Sequence, residues 1–454
     1  MGARARRKVK QQEPLVVDIS KLSHEGRGIA HIDGKVVFVS GALAGEQVLA
    51  RFITTKSSYA EAVTQEVLRA APERVTPQCR YFGVCGGCSL QHLDSASQLA
   101  FKSEVLHERL AHAVTAGSYQ QLPVISGEVF GYRRKARLAV RWVGKKGKAL
   151  VGFKEQQSGF ITDMDACPVL SPRVGNLIGE LGALVSKLDC KDQLPQIEVA
   201  VGDSAAGCEG GDCALVFRHL QPLTMPDHEH LRAFGATHHI DIYLQPHGPD
   251  SVHKMYPADG TQRLYYDLPQ YQLRMAFHPC DFTQVNAGIN QQMLQRALQL
   301  LDLQTEDRVL DLFCGLGNFT LPMARTAKAV VGVEGSEQMV QRGRENALAN
   351  QLVNVEFHAA DLTKSADQHA FLREKFDKIL LDPPRSGAQE VLAALAALKP
   401  ARIVYVSCNP ATLARDAGLL ADLGYRLEAA GAMDMFPHTS HVEAIALFTP
   451  GRKR

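Results

Sequence analysis

No run of about 18 uninterrupted apolar residues occurs in the sequence, which leaves no candidate for a transmembrane helix. The basic start, 1–12, has no apolar core of the kind a secretion signal carries, so a cytoplasmic protein is expected. Charge of one sign is also lacking: 50 Lys and Arg against 48 Asp and Glu leave a net charge of only +2. That excludes a bulk polycation, and any RNA binding has to come from local basic patches. Arg4, Arg6, Arg7, Lys8 and Lys10 offer one such patch, either an RNA-touching arm or a solvated tail. No internal repeat is visible. No long unmatched apolar surface is evident either, and a monomer is expected.

Roughly two to four domains fit the length of the chain. A composition of 45% hydrophobic and 22% charged residues lets each bury its own core. Short runs at 15–20, 28–32, 35–39, 47–53 and 60–67 read as strands, with Asp33-Gly34 a hairpin signal between two of them. Five such strands with glycine-rich turns suggest a small closed barrel. That shape often holds single-stranded nucleic acid, and it also exists without a ligand. A linker at 72–77, a cysteine cluster and a helical stretch at 95–114 follow. The segment 128–265 is mixed, with few helix signals and a loop expected at 202–213. From Gln291 onward helices alternate with apolar strands at 308–312, 329–333, 355–358, 378–381, 403–406 and 444–448. That alternation indicates a doubly wound α/β sheet.

The run Val309-Leu310-Asp311-Leu312-Phe313-Cys314-Gly315-Leu316-Gly317-Asn318 is a strand entering a glycine-rich turn and then a helix. Such a turn lets the backbone approach a ligand, but many α/β proteins have one. Glu334 ends the second strand roughly 20 residues later, where an acid can hold a ribose diol. Thr320 stands where a dinucleotide fingerprint has its last glycine, and Asp361 follows the third strand, placed for an adenine amino group. Together these features fit S-adenosylmethionine better than a dinucleotide.

Asp382-Pro383-Pro384-Arg385 follows the strand at 378–381. Two prolines fix the backbone at a strand end, where such sheets place their sites; a rigid turn is the plainer reading. An aromatic fourth residue would suit methylation of an exocyclic amine, and Arg385 argues against it. The next strand ends in Ser407-Cys408-Asn409-Pro410. Carbon 5 of uracil is too weak a nucleophile to take a methyl group from a sulfonium unaided. A thiolate adding at carbon 6 turns the ring into an enolate and makes carbon 5 reactive. Cys408, at the carboxyl edge of its strand, faces the crevice, although a lone cysteine is more often a buried apolar residue. The reaction also needs a base for the carbon-5 proton. Glu443, at the end of His438-Thr439-Ser440-His441-Val442-Glu443, begins the last strand and suits that task. His438 and His441 have no third ligand nearby and read as a polar loop.

Phe282-Thr283-Gln284-Val285-Asn286, the turn at 311–318, and the motifs at 382–385, 407–410 and 438–443 occur in the order found in the RNA uracil-C5-methyltransferases. Over its C-terminal third the chain closely resembles that family. The resemblance implies a Rossmann-like class I methyltransferase domain, with Cys408 as nucleophile and Glu443 as base. It implies Gln284, Phe313, Asn318, Glu334, Asp361 and Asp382 as the lining of the S-adenosylmethionine site. Phe282 is implied in stacking on RNA, with a core aromatic as the other reading.

Ten cysteines in a chain with no export signal favour ligands and thiols over disulfides. Cys79, Cys85 and Cys88 are close in sequence, and Cys167 lies far downstream. Three near thiols and one distant one can close around a metal, and the spacing alone leaves zinc and a four-iron cluster equally open. The spacing is not that of radical S-adenosylmethionine enzymes. Family members with this pattern hold a [4Fe-4S] centre, so the resemblance implies iron–sulfur, in a structural role. Cys190, Cys208, Cys213, Cys280 and Cys314 read as ordinary thiols, with Cys208 and Cys213 as competing ligand candidates. The N-terminal barrel resembles a TRAM domain, which is OB-like. The resemblance therefore implies three parts: a TRAM barrel at 12–70, a central mixed α+β iron–sulfur domain at 71–270 and the methyltransferase at 271–454. Bacterial family members with that architecture act on the 1939-type uracil of 23S rRNA, some of them on a second rRNA uracil as well, so the resemblance implies the 1939-type site, with another rRNA or tRNA uracil as the alternative.

Tyr132-Arg133-Arg134-Lys135-Ala136-Arg137, followed by Arg141 and Trp142, is a dense basic run with aromatics. On a strand it offers phosphate contacts and a stacking surface, or else a solvated basic edge. The target base has to leave its stack to reach Cys408. Two rival functions remain: an amino-group methyltransferase, active without Cys408, and a non-catalytic RNA-binding assembly factor, which binds RNA without methyl transfer.

Overall fold

The computed structural model describes residues 13–115, 118–203, 212–362, 364 and 370–451. The expected basic arm at 1–12 and Cys208 lie outside them. By contact density the chain divides into two compact units. The first takes the chain up to Phe101 together with Glu155–Ser158 and Phe436–His441, and the second takes the remainder.

The first unit holds β1 (Leu15–Asp18), β2 (Lys21–Leu22), β3 (Gly28–Ile32), β4 (Lys35–Ser40), β5 (Gln47–Thr55) and β6 (Tyr59–Arg69). The strand order is β1-β5-β6-β4-β3-β2. β1 pairs with β5 and β2 with β3, both antiparallel, yet β1 and β2 are parts of one extended stretch. That stretch joins the two ends of the sheet, and Ile19 N to Glu46 O and Ser20 N to Ile29 O, both 2.8 Å, carry the bonding through the break. Closure leaves no open edge to pair with another chain. Small apolar residues fill the narrow interior: Val37 and Val39 from β4, Val48 and Ala50 from β5, Ala60 and Ala62 from β6. Asp33 and Gly34 both have positive φ (49° and 75°), the geometry of a tight two-residue hairpin. Glu46, fully buried, accepts from Leu43 N at 2.7 Å and from Arg74 Nη2 at 2.8 Å.

α1 (Ser95–Ala111) starts in the first unit, and from Lys102 onward it belongs to the second. β7 (Gln120–Gln121), β8 (Lys135–Val143), β9 (Lys148–Gly152), α2 (Pro172–Gly175), α3 (Ile178–Lys187), β10 (Gln196–Val201), β11 (Cys213–Arg218), α4 (Met225–His238), β12 (Asp241–Gln245) and β13 (His253–Tyr256) follow. Six of these strands form a sheet of order β13-β12-β11-β10-β8-β9. β8, which carries the basic run, therefore lies between two neighbours rather than at an edge. α4 begins with a reciprocal cap between Thr224 and Asp227. β14 (Leu264–Leu268) and β15 (Leu273–Phe277) make a hairpin.

The C-terminal part alternates as its sequence pattern demands. α5 (Ala287–Leu301), β16 (Arg308–Leu312), α6 (Thr320–Ala324), β17 (Ala329–Glu334), α7 (Glu337–Ala349), β18 (Val355–Ala359), β19 (Lys378–Leu381), α8 (Gln389–Ala397), β20 (Arg402–Ser407), α9 (Pro410–Asp422), β21 (Tyr425–Met433) and β22 (Glu443–Pro450) complete the chain. The sheet order is β18-β17-β16-β19-β20-β22-β21-β7. β16 to β20 are mutually parallel and bury mostly apolar side chains, with Asp311 of β16 a buried exception, whereas β22 inserts antiparallel between β20 and β21. The chain winds outward from β16 to β18 and then returns to β19 on the other side. That reversal opens a crevice at the carboxyl ends of β16 and β19, where such sheets bind ligands. All six strands expected here are present, within two residues at each end. β7 and β21 had no counterpart in the sequence pattern. Among the described residues no helix is long and apolar enough to cross a membrane.

Candidate active site

The turn after β16 lies in that crevice. Phe313 adopts a left-handed φ of 63°, unusual for an aromatic residue, and Gly315 and Gly317 follow at 56° and 97°. A Cβ on Gly317 would sit 3.1 Å from the Phe357 ring, so the turn tolerates only hydrogen there. Glu334 closes β17 and faces the turn: its carboxylate accepts from Gly315 N at 3.1 Å and from Ser336 N at 3.0 Å. A carboxylate holds about four acceptor positions, so the hydroxyls of a ribose can still be bound. Asn318 and Asn290 exchange a pair of side-chain hydrogen bonds (2.9 and 3.1 Å), and Tyr266 Oη donates to Asn318 Oδ1 at 3.0 Å. Gln284 precedes α5, whose N-cap is Asn286, and lines an open cleft of about 380 Å³ together with Asn290 and Tyr266. Asp361 lies beyond β18, exposed, with Lys364 Nζ 3.9 Å away. Phe282 is 69% exposed, which rules out a core role and leaves its ring available for stacking.

The second half of the site is built by β19, β20 and β22. Asp382 and Arg385 follow β19, and Cys408 follows β20. β22 runs antiparallel to β20 with Ser407 opposite Ala444, so one residue further along, Cys408 comes opposite Glu443. Asn409 caps α9, accepting from Ala411 N at 3.1 Å, and its amide donates to the Arg385 carbonyl at 3.1 Å. Sequence spacing alone gives none of these adjacencies; they follow from strand order and register.

Cys408 and Glu443 both feel the Asp382 carboxyl, which opposes their ionisation, and the Arg385 guanidinium, which favours it. Burial, with the carboxylates of Glu443 and Asp382 adding to it, pushes the Cys408 thiol up to about 11, against the pull of Arg385. Burial, then Asp382, pushes Glu443 up to about 8, with Arg385 and Lys102 pulling the other way. Burial alone holds Asp382 at about 7. Titratable groups displaced toward neutrality in a crevice suit proton transfer. The arrangement can make a thiolate add to an electrophilic ring and can take a proton from an adjacent carbon.

Three residues of this neighbourhood were not among the sequence-derived candidates. Lys102 and Asp434 form a buried ion pair close to Glu443. Lys102 had a visible signal, a lysine on the apolar stripe of an amphipathic helix. Asp434 follows a strand with no strand signal of its own. In the sequence Arg385 signals only the absence of a stacking aromatic; its place beside Cys408 and Glu443 comes from the fold.

The cysteine cluster lies in the first unit. Gly87 N donates to Cys85 Sγ at 3.4 Å and Gln91 Nε2 to Cys88 Sγ at 3.3 Å, while Gln91 Oε1 accepts from Cys79 N at 3.1 Å. N–H donors directed at sulfur suit thiolate ligands. Among the described residues no set of three or more His, Cys, Asp or Glu side chains is gathered as for a metal ion. Cys190, Cys213, Cys280 and Cys314 are thiols whose affinity for the proton burial raises. His438 is buried, donating from its backbone N to Gln98 Oε1 at 2.9 Å, in keeping with a structural polar loop.

Most of the basic run is paired internally. Arg134 meets Asp203 at 2.7 Å, Arg137 meets Glu198 at 3.0 Å, and Lys135 donates to the Pro279 carbonyl. Arg137 and Arg141 share the exposed face of β8, whereas Trp142 is on the opposite face beneath Lys191.

A family model described as tRNA (Uracil-5-)-methyltransferase matches residues 267–450, and the TRAM domain model matches 8–64. The 23S rRNA (uracil(1939)-C(5))-methyltransferase RlmD of Hahella chejuensis is 53% identical over 449 residues, covering 98% of this chain and 99% of its own length. The protein of the same name from Alkalilimnicola ehrlichii is also 53% identical over 449 residues, with 99% of each chain covered. The crystal structure of the Pyrococcus abyssi tRNA (uracil-54, C5)-methyltransferase in complex with S-adenosyl-L-homocysteine superposes with a TM-score of 0.73 at 26% identity, covering 96% of this chain and 99% of that one.

Proposed function

Because this chain belongs to the RlmD family of 23S rRNA (uracil-C5)-methyltransferases, we propose that it transfers a methyl group from S-adenosylmethionine to carbon 5 of the 1939-type uridine of 23S rRNA. The observation that carries this reading is the β20–β22 register, which sets a thiol opposite a carboxyl at the crevice mouth.

Cys408 gives up its S–H proton to solvent and adds as thiolate to carbon 6 of the uracil, and the carbon 5–carbon 6 double-bond electrons move to give an enolate. Carbon 5 then takes the methyl group, with S-adenosylhomocysteine as the second product. Glu443 accepts the proton from carbon 5, the carbon–sulfur bond breaks, and Cys408 leaves as thiolate. Arg385 lowers the cost of each anion in turn. Gln284, Phe313, Asn318, Glu334, Asp361 and Asp382 line the site of the methyl donor. Glu334 takes the ribose, in keeping with its place at the end of β17. Phe282 stacks on RNA, and the barrel with the exposed Arg137 and Arg141 holds the backbone.

The methyltransferase part is 271–454, the central part 71–270 and the barrel 12–70. Cys79, Cys85, Cys88 and Cys167 ligate a [4Fe-4S] cluster, as the family resemblance implies and as the N–H···S bonds at Cys85 and Cys88 support. The cluster supplies cross-linking and no chemistry at carbon 5. The enzyme acts as a cytoplasmic monomer.

The deciding experiment incubates the protein and methyl donor with a 23S rRNA fragment bearing 5-fluorouracil at the target. A fluorine at carbon 5 cannot leave as a proton, so a denaturation-resistant complex through Cys408 is expected. No complex, with product still formed on ordinary uracil, would overturn the mechanism. Product on a tRNA but not on the rRNA fragment would overturn the substrate.

A further inference from the structure

Lys102 is fully buried on α1, on the stripe with Phe101, Val105 and Leu106 that such a helix ordinarily fills with apolar side chains. Its ammonium lies 2.5 Å from Asp434 Oδ1, and the two side chains are 0% and 4% exposed. Asp434 is the residue after β21, and Met433 at the end of β21 pairs with Glu443 at the start of β22. The ion pair therefore lies one strand from Glu443, on the side away from Cys408. The Lys102 charge acts on both Asp434 and Glu443. Taking a lysine and an aspartate out of water costs about as much as their attraction returns, and apolar replacements of like volume are often neutral or better. Packing gives no reason for a cation here.

We infer that Lys102, held by Asp434, is a positioning residue for the methyl-transfer cycle, keeping Glu443 available as a carboxylate to take the carbon-5 proton. The inference rests on the reading of Glu443 as the base. The step it serves is elimination: Glu443 gains the proton, the carbon–hydrogen electrons form the ring double bond, and Cys408 leaves with the carbon–sulfur pair. The charged and titratable groups that act on Glu443 are Asp382 and Arg385 from the loop after β19 and Lys102 from α1, while Cys408 faces it from β20. Lys102 and Arg385 are the cations among them. Arg385 also acts on Cys408, whereas Lys102 acts on Glu443 and on its own partner Asp434.

The test measures methyl transfer to an rRNA fragment between about pH 6 and 10, with denaturation-resistant protein–RNA adduct counted at each point. Lys102→Met combined with Asp434→Asn removes the pair without leaving an orphan charge. Its rising limb is expected to move to higher pH by about one unit, with methylated adduct accumulating because elimination lags. Asp434→Asn alone removes the counter-charge beside the cation, so the Lys102 charge acts more fully on Glu443, and its limb is expected to move to lower pH. Lys102→Arg is expected to keep the native profile. If both limbs stay in place while a Glu443→Gln control accumulates adduct, the inference is overturned and the base assignment stands. If Glu443→Gln accumulates no adduct, the base assignment fails and the inference with it. Should the paired variant not fold, the direction of the Asp434→Asn shift decides the matter.

Discussion

The Asn409 side chain donates to the Arg385 carbonyl at 3.1 Å and, through its own oxygen, caps α9 by accepting from Ala411 N at 3.1 Å. One amide thus ties the loop that carries the nucleophile to the loop that carries its cation. Around it, Tyr405 Oη and Ala388 N both bond Asp416 Oδ2, at 2.6 and 2.8 Å, and Arg415 Nη2 donates to the Ser386 carbonyl at 2.8 Å. The crevice floor is held by α9, and the reacting groups inherit their placement from it.

Asn409→Ala removes both bonds. Loss of the cap costs about 1 kcal/mol of stability. The larger effect is expected in kcat, because Arg385 and Cys408 lose their common tether while the donor turn is untouched. Single-turnover methylation slowed at least tenfold, with donor affinity within about twofold of wild type, is the expected result; equal losses in both would show a general collapse of the crevice instead.

Gly387→Ala acts on the same floor by geometry. Gly387 has a φ of 84°, and a Cβ there would come within 2.4 Å of Arg415 Nη2 and 2.6 Å of Asp416 Oδ2. Neither atom can yield without breaking the bonds that hold 385–388. A loss of about 1–3 kcal/mol is expected, read as a lower Tm, with activity falling further than stability does. An unchanged Tm would mean that the loop relaxes freely.

Much of this was legible in the sequence because most C-terminal strands are short, largely apolar runs between turn signals. β16 and β19 could hardly be read otherwise. β21 was not legible, since Leu427-Glu428-Ala429-Ala430-Gly431-Ala432 is rich in small residues with little strand preference. Its place is set from outside, by pairing with β22 and by Leu122 against Gly431. For that reason Asp434 and its lysine went unseen, while Cys408 and Glu443, at the ends of strands with a clear pattern, did not. The basic run at 132–137 misled in the other direction: charge in sequence looked like a free patch, and Asp203 and Glu198, supplied from the end of β10 and the strand itself, neutralise much of it.

Glu443→Gln has a signature in stability as well as in catalysis. Burial holds Glu443 at about 8, well above the ordinary value of 4.5. Below pH 4.5 both the folded and unfolded chains carry it protonated and nothing is lost. As pH rises toward 8 the unfolded chain gives up that proton first, so the stability this group contributes at low pH drains away. The glutamine variant is exempt. Its stability is expected to match wild type near pH 5 and to exceed it at pH 8.5 by on the order of 4 kcal/mol, read as a Tm gap that opens with pH. A gap that does not widen with pH would show that the carboxyl is not held in its acid form.

Gln91→Leu tests the cysteine cluster without touching a cysteine. Gln91 donates to Cys88 Sγ at 3.3 Å and accepts from Cys79 N at 3.1 Å, so it serves two of the proposed ligands at once. A thiolate that loses an N–H donor holds iron less firmly and is more easily oxidised. Protein purified without oxygen is expected to show iron, sulfide and a broad absorbance near the violet edge. In the leucine variant that absorbance is expected to bleach several-fold faster in air. Zinc without sulfide in the native protein would end the iron–sulfur assignment outright.

Thr320→Val probes the donor turn from beneath. Asp311 is fully buried, and its Oδ2 takes a 2.5 Å hydrogen bond from Thr320 Oγ1 while Oδ1 has no partner. Burial pushes this carboxyl up to about 8, and Thr320 holds it through its hydroxyl and its backbone N–H. Valine keeps the shape and the backbone contact of residue 320 but removes the hydroxyl bond, at a cost of about 1–3 kcal/mol. Because Asp311 is one residue from the end of β16, just ahead of Phe313 and Gly315, the expected functional loss is in affinity for the methyl donor. Calorimetry with S-adenosylhomocysteine reads that directly: weaker binding by roughly tenfold is expected, with RNA affinity unchanged. Unaltered donor binding in a destabilised protein would place the Asp311–Thr320 pair in the fold alone, and detach it from the site above it.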